Sequence, residues 1–260
     1  MGILAPLKSL GKLLAPDIYW NLQRRYHRGL LRPVERAVIN RYGLQVVAGP
    51  FSGMRYIGEA TGSRLLPKLC GSYEAELFPV LDTAFARKYD RVVDVGCAEG
   101  YYAVGLARKF PGTRVNAYDT DESARRLCGE LCRLNGVADL VRIGVACTPA
   151  TLAEMAGERV LLVCDCEGYE FELLDNVTIG DLPRWDIIVE LHEGTSDGIR
   201  TTSLCKRMAH SHDLEIIPSV PRETAAYPTT HFLPKRWQKR AVDEGRPVKQ
   251  WWLWASARGI

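Results

Sequence analysis

From residue 73 onward the sequence repeats one pattern: a short, almost wholly apolar run, then a longer stretch with apolar residues at helical spacing. The runs are Arg91 to Gly96, Arg114 to Asp119, 140–145, Val160 to Asp165, Asp186 to His192 and Asp213 to Val220. Helices are predicted over 73–88, 101–110, 121–135, near 150–156, 169–175 and 198–210. Strands that alternate with helices require a parallel sheet with helices on both faces. Strands that are apolar on both sides fit burial from both sides. Lys249 to Ala255 reads as a final strand. The pattern predicts an α/β chain with a doubly wound, mostly parallel, seven-stranded sheet. The long insertion at 221–247 interrupts the rhythm before the last strand, and a connection of that length is more often functional than idle.

The first 72 residues follow other rules. Leu4, Leu7, Leu10, Leu13 and Leu14 recur at helical spacing, a second helical piece runs from Ile18 to Arg28, and a third from Pro33 to Arg41. Two short strands, 44–48 and 54–57, flank the turn at Gly49 to Gly53 and predict a small β-hairpin. The expected division is therefore a helical arm and hairpin over 1–72, then the sheet domain over 73–260. Charge divides the same way. Residues 1–48 hold eight Lys/Arg against two acids, and the rest holds 26 against 29. A basic arm can pack on a second subunit, lie on a membrane surface or grip an acidic partner. Its leucine spacing favours packing on protein, so a homo-oligomer built through the arm is expected. No stretch reaches the roughly 18 apolar residues that span a bilayer.

Eight cysteines are spread over the chain with no CxxC pair, which argues against a zinc ribbon. Met1 to Pro6 carries no basic residue ahead of its apolar ones, so no secretory leader is expected. A reducing cytoplasmic setting follows.

In an open parallel sheet, ligands bind outside the carboxyl ends of the strands. The first strand ends in Asp94-Val-Gly96-Cys-Ala-Glu99-Gly100. Its two glycines permit a tight turn and close ligand approach, and the following helix presents free N–H groups. The spacing is G-x-x-x-G, not the dinucleotide pattern G-x-G-x-x-G, and suits a ligand without a pyrophosphate. The second strand ends at Asp119, whose carboxylate can accept both hydroxyls of a ribose.

The segment Val92 to Tyr102 resembles the first motif of class I S-adenosylmethionine-dependent methyltransferases, which have a Rossmann-like sheet. Asp165-Cys-Glu167-Gly168-Tyr-Glu170-Phe-Glu-Leu-Leu174 resembles the D-x-E-G-x-E-x-x-[VL]-L signature of the FkbM-type family. The resemblance covers about 73–220 and the last strand. It implies S-adenosylmethionine as cofactor. Asp94, Gly96, Glu99 and Gly100 would shape the pocket for its amino-acid part, Asp119 would hold the ribose with help from Asp121, and Ala146 would lie by the adenine. Asp121 also suits a helix N-terminus, and so does Glu74.

Asp165, Glu190 and His192 are the candidate catalytic residues. An Asp, a Glu and a His converging on one cleft suit a divalent metal, with Mg, Mn, Fe and Zn all compatible with the donors. Equally, His192 suits a general base, Asp165 suits the methionine ammonium, and Glu190 and His192 suit pairing with basic residues of the insertion. Glu170 is expected to serve the helix dipole, and Glu167 is divided between that role and the cleft. His192 leans the expectation towards O-methylation of a hydroxyl on a small-molecule or glycan acceptor. The alternatives are a nucleic-acid methyltransferase and a cofactor-binding scaffold without turnover. Against nucleic acid stand the mildly acidic body and the absence of an Asn/Asp-Pro-Pro-Tyr motif at the fourth strand.

Overall fold

The computed structural model describes residues 31–175, 184–194, 197–246 and 248–258. The first two helical pieces expected of the arm, and the homo-oligomer contact assigned to them, lie outside these residues. Residues 31–42 form helix α1, covering the third piece. Then follow α2 (Leu65–Cys70), α3 (Phe78–Phe85), β1 (Arg91–Val95), α4 (Tyr101–Lys109), β2 (Arg114–Tyr118), α5 (Glu122–Leu134) and β3 (Val141–Gly144). The second half holds α6 (Pro149–Ala153), β4 (Val160–Cys164), α7 (Glu170–Asp175), β5 (Trp185–Glu190), α8 (Ile199–Met208), β6 (His212–Pro218), α9 (Lys235–Val242) and β7 (Trp251–Ala257).

The seven strands form one sheet in the order β3-β2-β1-β4-β5-β7-β6. The pairs among β1 to β5 are parallel, and β7 runs antiparallel between β5 and β6. Side chains alternate across a strand. Val92, Leu161, Val163 and Ile188 pack into one core with α1, α2 and α4, while Val93, Val95, Leu162 and Ile187 pack into another with α7 and α8. This two-sided burial is what the continuous apolar strands predict. Asp186, fully buried on β5, offsets the cost of a buried charge with four contacts. It accepts from Arg87 Nη1 on both oxygens (2.6 and 2.7 Å), from the Tyr89 hydroxyl (2.6 Å) and from the Ala257 N–H (2.9 Å).

Two local expectations are corrected, and the predicted hairpin is present in short form. Gln45 bridges Arg55, the Val46 and Tyr56 N–H groups donate to the Met54 and Leu44 carbonyls, and the Gly53 N–H donates to the Val46 carbonyl (all 2.8 Å). The Val47 N–H turns away from the partner strand and donates to the Leu69 carbonyl at the end of α2 (2.8 Å). The helix predicted over 73–88 is confined to 78–85, because Glu74 takes a left-handed conformation (φ 47°) and Pro79 opens the first helical turn. The fifth strand stops at Glu190, two residues early. The backbone N–H of His192 donates to the Glu170 carboxylate (2.9 Å) instead of a neighbouring strand. His192 thus lies two residues beyond the end of β5, and its ring still comes within 3.9 Å of the Glu190 carboxylate.

Because β6 and β7 are antiparallel neighbours, their connection lies at the carboxyl end of the parallel strands. It contains two short 3-10 turns and α9, then returns through Asp243 to Arg246. The insertion is thus delivered to the end of the sheet where ligands bind.

Candidate active site

A cleft of about 660 Å³ opens at the carboxyl ends of β1, β2, β4 and β5. That volume suits a small organic cofactor. Its floor is the turn from β1 into α4. Gly96 (φ 82°) sits against β4 so closely that a Cβ there would lie 1.6 Å from the Asp165 carbonyl oxygen. Gly100 caps α4 in a left-handed conformation (φ 100°). Between them Ala98 is also left-handed (φ 48°), a strained state for a residue with a side chain.

Asp119 stabilises this turn. Its carboxylate accepts from the Ala98 N–H (2.9 Å) and from the Asp121 N–H (2.8 Å), tying the ends of β1 and β2 together. Its oxygens retain capacity for further donors at the cleft wall. Ala146 lines the opposite side with Val145 and Cys147, beyond β3.

Asp94 lies beneath the turn and is 2% exposed. One of its oxygens takes the Ala103 N–H in the first turn of α4, and Oδ2 has no partner. Burial pushes its pKa up to about 8, against the pull of the Ala103 N–H. An orphaned buried carboxyl oxygen at a cavity wall calls for a donor from the ligand.

Two residues expected at the cofactor point elsewhere. Glu99 is fully buried behind the turn, where it takes Lys68 Nζ (2.5 Å), the Tyr56 hydroxyl (2.6 Å) and the Thr61 N–H (2.9 Å). Burial alone would raise its pKa, but the Lys68 ammonium holds it below the usual carboxylate range. Its capacity is consumed in fastening residues 56–68 to the glycine turn. Asp121 is the N-cap of α5, accepting from the Ser123 N–H (2.8 Å), and is not part of the cleft lining.

Asp165, at the end of β4, and Glu190, at the end of β5, line the deep side of the cleft. His192 stands just behind them. Its Nε2 lies 3.8 Å from Asp165, 3.9 Å from Glu190 and 3.7 Å from Glu167. The structure therefore brings the three candidate residues together. Glu170, which sequence reasoning gave to the helix dipole, is fully buried. One of its oxygens holds both His192 Nδ1 (3.2 Å) and the His192 N–H (2.9 Å). The other takes the Gly168 N–H (2.8 Å). Burial would raise Glu170, but these donors keep it below the carboxylate range. For His192, burial works downward, and the carboxylates of Glu170, Asp165 and Glu167 overcome it, leaving the imidazole above its usual value. Glu190 is pushed upward by burial and by Asp165 and Glu74, against the pull of Arg246.

Arg246 closes this group from the insertion. It donates to Glu190 (3.2 Å) and Glu244 (2.7 Å) and also pairs with Glu74. The expected pairing of the fifth-strand residues with basic groups of the insertion thus holds for Glu190 but not for His192. Of the six acids in the lining, Asp119, Asp165 and Glu167 have no Lys or Arg partner among the described residues, whereas Lys68 and Arg246 are both already paired. Such a cleft favours a cationic ligand.

No family model matches the sequence, and no curated protein matches it. Solved structures do resemble it. The human methyltransferase 10 domain containing protein superposes with a TM-score of 0.50 at 12% identity, over 85% of this chain and 97% of that one. The delta-N METTL16 MTase domain gives 0.50 at 13% identity, over 85% and 96%. At such identities the likeness concerns architecture. The chain has the seven-stranded, mostly parallel Rossmann-like fold of class I methyltransferases.

Proposed function

We propose that the protein is an FkbM-type methyltransferase that transfers a methyl group from S-adenosylmethionine to a hydroxyl of a small-molecule or glycan acceptor. The unpaired Oδ2 of Asp94 at the wall of an acid-lined cleft carries the reading. S-adenosylmethionine brings a sulfonium, an ammonium and a ribose diol. Asp94 supplies an acceptor for the ammonium, Asp119 for the diol, and the surrounding acids favour the sulfonium. The solved structure of an O-methyltransferase with the same cofactor, TomG from Streptomyces achromogenes, is also similar at 16% identity over 70% of this chain, with a TM-score of 0.46. That likeness adds nothing to the argument from the residues.

Transfer is a displacement at the sulfonium methyl, and most of its rate comes from aligning acceptor, methyl and sulfur. A hydroxyl must also lose its proton. Glu170 fixes the ring of His192 through Nδ1, so Nε2 lies beside the cleft acids Asp165 and Glu190 (3.8 and 3.9 Å) and takes up that proton from behind them. Glu170 then balances the charge of the imidazolium.

Asp165, Glu190 and His192 also fit a divalent cation. Each offers one donor atom, all within 4.8 Å of one another, and Glu170 orients the imidazole as such outer partners do in metal sites. When bound, a metal would hold the acceptor oxygen and lower its pKa. The two arrangements compete for Nε2 and are separable. Heat on titrating Mn²⁺ into chelator-treated protein, absent in Asp165→Ala, selects the metal. No heat leaves His192 as the base.

Asp94 gives the cofactor assignment a direct test. Its raised pKa keeps the carboxyl neutral at pH 7 in the free protein. A bound ammonium stabilises the ionised form, so binding must expel about one proton. Calorimetry in buffers of different ionisation enthalpy should show that release in the wild type and lose it in Asp94→Asn, with weaker binding. The same variant should raise the melting temperature of the free protein at pH 7. There the unfolded chain has an ionised Asp94 and the folded chain does not, which costs folding stability that Asn does not cost. Equal proton release in both proteins would remove Asp94 from the site.

A further inference from the structure

The insertion bears a feature that the cleft does not use. In α9, Lys235, Arg236, Lys239 and Arg240 are all exposed. Their spacing places them on one broad face of the helix, opposite the buried Ala241. None has an ion-pair partner among the described residues, and residues 228–242 contain no acid. The insertion packs against α1, where the Tyr42 hydroxyl donates to the Thr229 carbonyl (2.9 Å) and Arg41 lies over the ring of Phe232 (4.8 Å). On α1, Arg32, Arg36 and Arg41 are exposed and likewise without an ionic partner among the described residues. Through the turn at 229–232, α9 and α1 are held near each other, and together they carry seven cations without an ionic partner among the described residues, with one acid, Glu35, on α1. Phe232, which is 37% exposed, and the half-buried Trp237 belong to the same stretch of the insertion.

We infer that this face docks the protein on an anionic lipid surface, with the cleft beside it. Several observations favour a lipid plane over a nucleic acid. None of the seven cations lines the cleft or the neighbouring cavity at 219–249, so the face is separate from the cofactor site. The neighbouring cleft is acidic, which repels a polyanion that has to enter it but tolerates a surface that stays outside. Trp237 among the cations of α9, with the exposed Phe232 just ahead of the helix, is the mixture of aromatic and basic residues found at membrane interfaces. No described helix is long and apolar enough to cross a membrane. The face also adjoins the cleft rim. Asp243, the first residue after α9, pairs with Arg64 (3.6 Å), next to the cleft residue Ser63. An acceptor carried at a membrane surface would then meet the cleft mouth.

The test is co-sedimentation of the full chain with vesicles of phosphatidylcholine alone, or containing phosphatidylglycerol, at an ionic strength of about 0.15 M. The wild type should bind only the anionic vesicles, and added salt should release it. Each basic residue near such a surface strengthens binding about fivefold, so the variant with Lys235, Arg236, Lys239 and Arg240 all changed to Gln should partition several-hundred-fold less well. A second variant, Arg32→Gln with Arg36→Gln, should lose about thirtyfold. Both should keep the wild-type melting temperature and S-adenosylmethionine titration. Sedimentation reads no turnover, so its failure and that of the methyltransferase reading are distinguishable. Equal partitioning of variants and wild type would overturn the proposal. So would a wild type that ignores vesicles but binds duplex DNA or RNA through the same cations, which would make the face a nucleic-acid interface.

Discussion

Replacing His192 with alanine should lower kcat by about 10² to 10⁴, the range that a positioned general base contributes. S-adenosylmethionine affinity should stay close to that of the wild type. The split follows from position. His192 stands behind Asp165 and Glu190 and is not itself part of the cleft lining, whereas the cofactor contacts lie across the cleft on β1 and β2. Glu170→Gln should show a smaller loss of the same kind. It keeps a side chain of similar shape but removes the charge that orients and supports the imidazole. An equal loss of cofactor binding in His192→Ala would mean that the residue holds the site together, and wild-type turnover would remove it from the chemistry. The melting temperature must be measured alongside, because the His192 backbone is bonded to Glu170.

Asp119→Ala should weaken S-adenosylmethionine binding at least ~100-fold, since two hydrogen bonds to a charged acceptor contribute about 3 kcal/mol or more together. Two effects act together. The ribose loses its acceptor, and the turn loses the carboxylate that takes the Ala98 and Asp121 N–H groups. Ala98 sits in a strained conformation, so the turn relaxes when that tie is cut. Asp119→Asn separates the two effects. It can still accept from Ala98 and so keep the turn, but it presents a weaker acceptor to the diol and should fall between alanine and the wild type. Unchanged affinity in the alanine variant would contradict the cofactor site as drawn.

The sheet was legible because its strands are apolar on both sides and its helices are not. Gly96 and Gly100 were legible because only glycine fits where a Cβ would strike Asp165 or Cys128. Glu99 misled for a local reason. It sits in the motif, but its partners Lys68, Tyr56 and Thr61 come from a segment whose placement no motif announces. Asp121 fell to its other reading, an N-cap, because an acid one residue before a helix serves the backbone first. Glu170 is the reverse case. Its position at a helix start gave a sufficient dull explanation, and only the chain's path after β5 brings His192 onto it. Arg246 could be named as one of several basic residues of the insertion, but not singled out. Its ties to Glu74, Glu190 and Glu244 depend on β7 returning antiparallel beside β5, which carries the insertion over the cleft.

The most direct test of the central claim is calorimetric titration of S-adenosylmethionine into the purified full chain at neutral pH. Saturable one-to-one binding that weakens in both Asp119→Ala and Asp94→Asn is the predicted result. A folded protein that takes up no cofactor, with or without added divalent metal, would contradict it.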